Sequence, residues 1–176
     1  MTQAKPGKFW IEMKWALICT AMYLVWMGIE RLAGFHDTRL AQQPFVTSLI
    51  LIPSVAIYAL ALLDKRRNFF GEQMSYRQGA LSGCVLTVFV VILSPLGQLL
   101  TSLVVTPRYF ANAIEYTVAN GVFDRVQAEQ QFNLGNYIVT SIVGGLMTGL
   151  LFSVVVPLFT RSRATPVQQS SVGKAG

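Results

Sequence analysis

Apolar residues in this chain come in long unbroken runs, and polar residues collect in the gaps between them. Four runs stand out, at about residues 13–33, 45–63, 78–105 and 136–160. Each is about as long as the ~20 helical residues that cross a hydrocarbon core ~30 Å thick. They are continuously apolar and lack the alternation of a barrel strand. Lipid offers the backbone no hydrogen-bond partner, so a crossing segment must close its bonds internally. The pattern therefore predicts an all-α, integral membrane four-helix bundle, a single domain over residues 13–163. Residues 1–12 read as a flexible lead-in. Residues 164–176, "ATPVQQSSVGKAG", are small and polar; they cannot bury enough apolar area to offset ordering, and disorder is expected.

A weaker pattern lies between the third and fourth runs. Over residues 107–131, Phe110, Ile114, Val118, Val122 and Val126 recur every four positions. This spacing predicts an amphipathic helix in the loop, broken or bent near Asn120 and Gly121. It is placed to seal the bundle mouth, to lie on the membrane surface or to dock a partner, with sealing preferred.

Prolines punctuate the runs. Pro44 suits a first helical turn, where its missing N–H would be unpaired anyway. Pro53 is expected to kink the second helix. Pro95 frees the carbonyl of Val91 in the third, which Ser94 or a neighbour can cover. Asn133 or Asn136 is positioned to cap the fourth.

Composition supports the membrane reading. Apolar residues make up 53% of the chain and charged residues 12%, against about a quarter charged in soluble domains. The first run ends in "GIERLAGFHD" rather than a small-x-small site, and reads as a retained helix, not a cleaved signal. The net charge of +6 does not indicate nucleic acid, because the basic residues flank apolar runs and form no patch with interleaved aromatics. Lys5, Lys8, Lys14, Lys65, Arg66, Arg67, Arg77, Arg161, Arg163 and Lys174 fall on one side of a four-span chain, and Arg31, Arg39, Arg108 and Arg125 on the other. Basic residues favour the cytoplasm, so both termini are expected inside, and Lys65, Arg66, Arg67 and Arg77 are read as the topology anchor. The implied location is the bacterial cytoplasmic (inner) membrane.

Between the second and third runs lies "GEQMSYRQGALSG". Ser75 is placed to cap the third helix, and Tyr76 and Arg77 suit the interface. The element Tyr76, Gln78, Gly79 and Gly83, with the architecture from about Lys14 to Arg163, resembles the domain-of-unknown-function family 4199, small four-helix bacterial membrane proteins. That resemblance implies a fold and a membrane location. It implies no activity, so no catalytic residue is carried over.

Small residues mark the packing faces. Gly79 and Gly83 form a GxxxG step, and Ser141, Gly145, Gly149 and Ser153 repeat every four residues. Such stripes allow close helix approach in lipid. The partner is a helix of the same chain or of a second copy; Gly79 and Gly83, or the Ala16 and Thr20 face of the first helix, are the preferred candidates. Ser94, Gln98 and Thr101 form a candidate polar cavity beside Pro95. Glu30 and Arg31 are read as interfacial, and His36 as a solvated loop residue. Cys19 and Cys84 read as small packing residues.

No histidine–carboxylate–nucleophile set, HExxH or phosphate-binding loop is present in the sequence. The chain is therefore expected to be no enzyme, with no catalytic, cofactor or metal residues and no cofactor. The preferred function is a structural, assembly or interaction component. Its partners would be the lipid bilayer and a protein or second copy, met through the fourth helix or the loop helix. The alternative is a small transporter or channel subunit built around Pro95 and Gln98. The topology has a direct check: reporters fused after Asn68 and after Gln127 should report opposite compartments, and one shared compartment would contradict four crossings.

Overall fold

The computed structural model describes residues 7–162. The expected tail at 164–176 lies outside them, as do Lys5, Arg163 and Lys174. The described residues are helical, with no strand among them. The elements are α1 (Trp10–Leu32), a short 3-10 turn (Leu40–Gln42), α2 (Gln43–Ser48), α3 (Leu51–Asn68), α4 (Tyr76–Leu100), a π-turn (Thr101–Val105), α5 (Tyr109–Ala119), α6 (Arg125–Gln131), α7 (Leu134–Val155) and α8 (Pro157–Thr160). Four stretches are long and apolar enough to cross a membrane: Trp10–Leu32, Leu40–Asn68, Tyr76–Val105 and Leu134–Thr160.

Several boundaries differ from the hydropathy runs, each for a physical reason. α1 begins at Trp10, inside the expected lead-in, because Ile11 and Glu12 are buried against the bundle. The second span is not kinked at Pro53 but broken before it, at Leu49–Ile50. Pro53 has no N–H for the carbonyl of Leu49, four residues back, and its ring crowds that carbonyl. The Leu49 carbonyl instead accepts from the N–H of Ile52 at 3.1 Å, an i→i+3 bond, and Pro53 becomes the third residue of α3. α3 runs on to Asn68, so Lys65, Arg66 and Arg67 belong to its last turns.

The starts of α4, α6 and α7 are set by capping. Ser75 Oγ accepts from the N–H of Gln78 at 3.3 Å, and Gln78 Oε1 accepts from the N–H of Ser75 at 2.8 Å. This reciprocal box satisfies two donors that a helix start leaves free, a contribution of about 1 kcal/mol for the serine cap. Asp124 and Gln127 repeat the box at α6, and Asn133 Oδ1 caps α7 through the N–H of Asn136 at 2.9 Å. Within α4, Ser94 Oγ donates to the Val91 carbonyl at 2.9 Å, the carbonyl that Pro95 leaves without a partner.

The two most closely packed helices are α4 and α7, which run antiparallel. A Cβ built on Gly79 would lie 3.1 Å from Pro157. One on Gly83 would lie 2.9 Å from Ser153 Cα, and one on Gly149 2.5 Å from Thr87. At Gly145 the nearest atom is Val91 Cγ2 at 3.7 Å, and at Gly144 nothing lies within 4 Å. Each step moves four residues along both helices, so the seam keeps one register; it is tightest where Gly149 meets Thr87 and opens from Gly145 onward. The small-residue stripe thus meets α4 of the same chain. The Thr20 face of α1 packs against Gly97 of α4 rather than against α7.

The seam is tied across its middle by hydroxyls. Thr87 Oγ1 donates to the Gly83 carbonyl at 3.0 Å and lies 3.2 Å from Ser153 Oγ; the Tyr58 hydroxyl from α3 lies 2.9 Å from Thr87. Around it sit Ala16, Ala61, Leu62, Met74, Leu86 and Val156, the buried apolar core. That core occupies the end of the bundle that carries both described termini; the other end is called the far end below.

Candidate functional site

At the terminal end, ionisable side chains are paired across helices. Glu12 from the first turn of α1 and Lys65 from the last turns of α3 are buried and lie 3.0 Å apart. Ser82 Oγ of α4 also donates to this carboxylate, at 2.7 Å. Lys65 Nζ also donates to the Lys8 carbonyl at 2.5 Å and stands 4.0 Å from the centre of the Phe69 ring. A second pair, Lys14 with Asp64, joins α1 to α3, and Trp15 Nε1 and Asn68 Nδ2 donate to Asp64 at 2.7 and 2.6 Å. Arg66 donates to the Thr160 carbonyl at 3.0 Å, binding α3 to α8.

The four residues read as the topology anchor do not share one environment. Lys65 is buried and paired, Arg66 is half-buried, and Arg67 and Arg77 are exposed. A helix turns about 100° per residue, so three consecutive basic residues cannot share one environment. Composition could not tell which one faces inward; the Glu12 to Lys65 partnership needs the α1–α3 crossing.

The far half is built differently. Beyond Val91, where the α4–α7 seam widens, a crevice of about 260 Å³ opens between α1, α3, α4 and α7. Cys19 and Tyr23, Ile50 and Ser54, Gln98, and Gly144 stand on its walls. Two of the three expected cavity residues, Ser94 and Gln98, line it. Thr101 is buried in the π-turn and is not among its lining residues. Most polar atoms of the crevice are engaged by the protein itself; the Thr148 hydroxyl and the Cys19 thiol, also on its walls, make no hydrogen bond among the described residues. Tyr23 donates to Gln98 Oε1 at 3.1 Å, and Gln98 Nε2 donates to Ser102 at 3.1 Å. Thr20, Ser54, Ser94 and Ser141 each donate to a carbonyl of their own helix. The wall presented to an occupant is therefore apolar, not polar as the sequence suggested.

At the far end a second charged node is buried. α1 ends in a Schellman turn: the N–H of Gly34, at φ +82°, donates to Arg31, and that of Phe35 donates to the Glu30 carbonyl. This reversal lays His36 back onto the last turn of α1. Glu30 is 1% and His36 4% exposed, which corrects both the interfacial reading of Glu30 and the solvated reading of His36. The Glu30 carboxylate accepts from Trp26 Nε1 at 2.6 Å, His36 Nε2 at 3.0 Å and Thr47 Oγ1 at 2.8 Å. Gln43 donates to Thr47 at 2.9 Å and accepts from the Tyr109 hydroxyl at 3.3 Å, and Tyr109 meets the Tyr137 hydroxyl at 3.0 Å. Burial, reinforced by neighbouring Tyr137, pushes the Tyr109 hydroxyl far above its ordinary range, so it stays a neutral donor. His36 Nδ1 has no hydrogen-bond partner among the described residues. The missed signal was Gly34: a glycine just past a helix end followed by an apolar residue marks this turn, and the residue after it folds back.

Arg31 donates to the carbonyls of Val104 and Val105, holding the π-turn of the third span against α1. α5 covers the node: Asn112 donates to the His36 carbonyl at 3.1 Å. The expected stripe of the loop helix does not run through both halves. Ala113 and Thr117 are the buried residues of α5, while Val122 and Val126 are exposed, because the turn at Asn120–Gly121 breaks the register. Glu115 of α5 and Glu129 of α6 hold the exposed Arg125 guanidinium above its ordinary range.

Among the described residues there is no group of three or more His, Cys, Asp or Glu placed to hold a metal ion. Cys19 is buried and Cys84 half-buried, both unpaired. The profile of a family described as "Protein of unknown function (DUF4199)" matches residues 14–162. No curated protein and no solved structure matches the chain.

The Glu12–Lys65 pair has a measurable signature. Replacing Lys65 by Met leaves a buried carboxylate with no counter-charge and is expected to cost about 3–5 kcal/mol. The double variant Glu12→Leu with Lys65→Met should cost less than the single one. Thermal unfolding in detergent reads both; a double variant as unstable as the sum of its parts would contradict a coupled pair.

Proposed function

This chain belongs to the DUF4199 family, and we propose that it is a non-enzymatic interaction component of the bacterial inner membrane. Its terminal end faces the cytoplasm and its α5–α6 cap faces outward. The observation that carries this reading is what the buried carboxylates do. Glu12 is occupied by Lys65 and Ser82, and Glu30 by Trp26, His36 and Thr47. Half-buried Asp64 is occupied by Lys14, Trp15 and Asn68. Each joins separate elements of the fold, which is the work of structural links; a general acid or base keeps an oxygen free for its substrate.

The cap supplies the candidate partner surface. Val122 and Val126 are exposed on it, at 58% and 65%, beside the charged group of Glu115, Arg125 and Glu129. An apolar pair rimmed by charge suits a protein partner on the outer side.

A second reading, a small transporter, draws on one specific feature. The second span is interrupted at Leu49–Ile50, beside a crevice that reaches Gln98. Interrupted membrane helices flank the substrate sites of many carriers.

One paired experiment separates them. Tagged protein purified in mild detergent should retain a partner in fixed ratio, and Val126→Glu should lose it. Proteoliposomes should show no solute flux that Gln98→Leu abolishes. Flux sensitive to Gln98→Leu without any retained partner would replace the first reading by the second.

A further inference from the structure

We propose that the crevice between α1, α3, α4 and α7 is a binding site for one acyl chain of a membrane phospholipid. It goes beyond the cap-centred reading above and does not depend on it.

The first argument is depth. Gly144 lies ten residues after the start of α7 at Leu134 and is exposed on the crevice wall. At 1.5 Å per residue this is ~15 Å along the helix, about half of a ~30 Å hydrocarbon core. Leu51, on the wall contributed by α3, is also exposed, at 47%, and stands thirteen residues, or ~20 Å along the helix, from Asp64 near the other end of α3. At that level the surrounding medium is acyl chain, so the crevice is supplied from the side by lipid.

The second argument is chemistry. A water needs two to four polar partners to remain in a cavity. The hydroxyls of Thr20, Ser54, Ser94 and Ser141 already donate to their own helices, and Gln98 is held by Tyr23 and Ser102. Apart from the lone Thr148 hydroxyl and the weakly polar Cys19 thiol, what remains is methyl, methylene and aromatic surface. A dry apolar cavity of ~150 Å³ is enough to take benzene. At about 260 Å³ this crevice has room for a run of methylenes, and it is too small for a drug-sized ligand.

The third argument is that the space is built in. The same α4–α7 seam that leaves no room for a Cβ at Gly83 or Gly149 leaves Gly144 open. A larger residue at 144 would fill the gap without displacing backbone.

The test uses the full chain in nanodiscs containing a phosphatidylcholine with a diazirine midway along one acyl chain. After illumination, adducts are mapped by peptide. The unaltered chain should show adducts concentrated on residues 50–54 and 141–148, above the level on the exposed residues Leu151 and Phe159. In Gly144→Phe that concentration should be lost, while Leu146→Phe, on the exposed face of α7, should retain it. Adducts spread evenly over the exposed faces in the unaltered chain would overturn the proposal, whatever becomes of the variants. So would a concentration that survives Gly144→Phe, or one lost equally in Leu146→Phe.

Discussion

Two helices in lipid gain little by hiding apolar surface from each other, because the acyl chains they displace are just as apolar. What holds α4 to α7 is therefore contact itself: backbone brought close enough for many small attractions to add up. Gly79, Gly83 and Gly149 are the positions where any side chain would intrude on the partner helix. Thr87, Ser153 and Tyr58 convert that closeness into hydroxyl contacts within the seam. The remaining elements are arranged around this pair. α1 packs against α4, and α3 completes the terminal end through Tyr58 and Lys65.

The same seam explains why the two ends differ. Where it is closed, the bundle is cross-linked by buried and half-buried ion pairs, Glu12–Lys65 and Lys14–Asp64. Where it widens beyond Val91, the helices need something else between them. The protein supplies part of it, through Tyr23 and Gln98, and the second span is interrupted before Pro53, beside the crevice. Above that lies the Glu30–His36–Thr47 node, extended through Gln43 to Tyr109 and Tyr137 and covered by α5. Buried charges of this kind contribute modestly to stability, since desolvation offsets much of their attraction. Their geometric demands fix which elements meet, and at the far end they fix the loop, α2, α5 and α7 around the last turn of α1.

The four long apolar helices were legible because bilayer thickness sets a length that hydropathy records directly. So were the caps at Ser75 and Asn133 and the small-residue face of α7, each carried by short-range spacing. The buried charges were not. Glu12, Glu30, His36 and Lys65 sit near the ends of apolar runs, where a charge is equally at home in the interface or folded inward. Only the crossing of α1 with α3, and the reversal at Gly34, decide for inward. The amphipathic stripe over 107–131 misled for a related reason: its period is regular, but the turn at Asn120–Gly121 separates Phe110 from Val126 in space. Gln98 was found as a polar residue on a kinked helix, yet the apolar character of its crevice depends on hydrogen bonds to Tyr23 and Ser102 that no local pattern reveals.

The central claim is that the bundle is closed along one half of the α4–α7 seam and open along the other. Single alanine substitutions at its glycines measure this directly, through thermal unfolding of the purified protein in detergent. Gly83→Ala and Gly149→Ala should each destabilise by about 1–3 kcal/mol, the range for overpacking a close contact. Gly144→Ala, with open space before it, should be neutral or gain up to about 1 kcal/mol from helix propensity. Equal effects at all three positions, or a loss at Gly144 alone, would contradict the account.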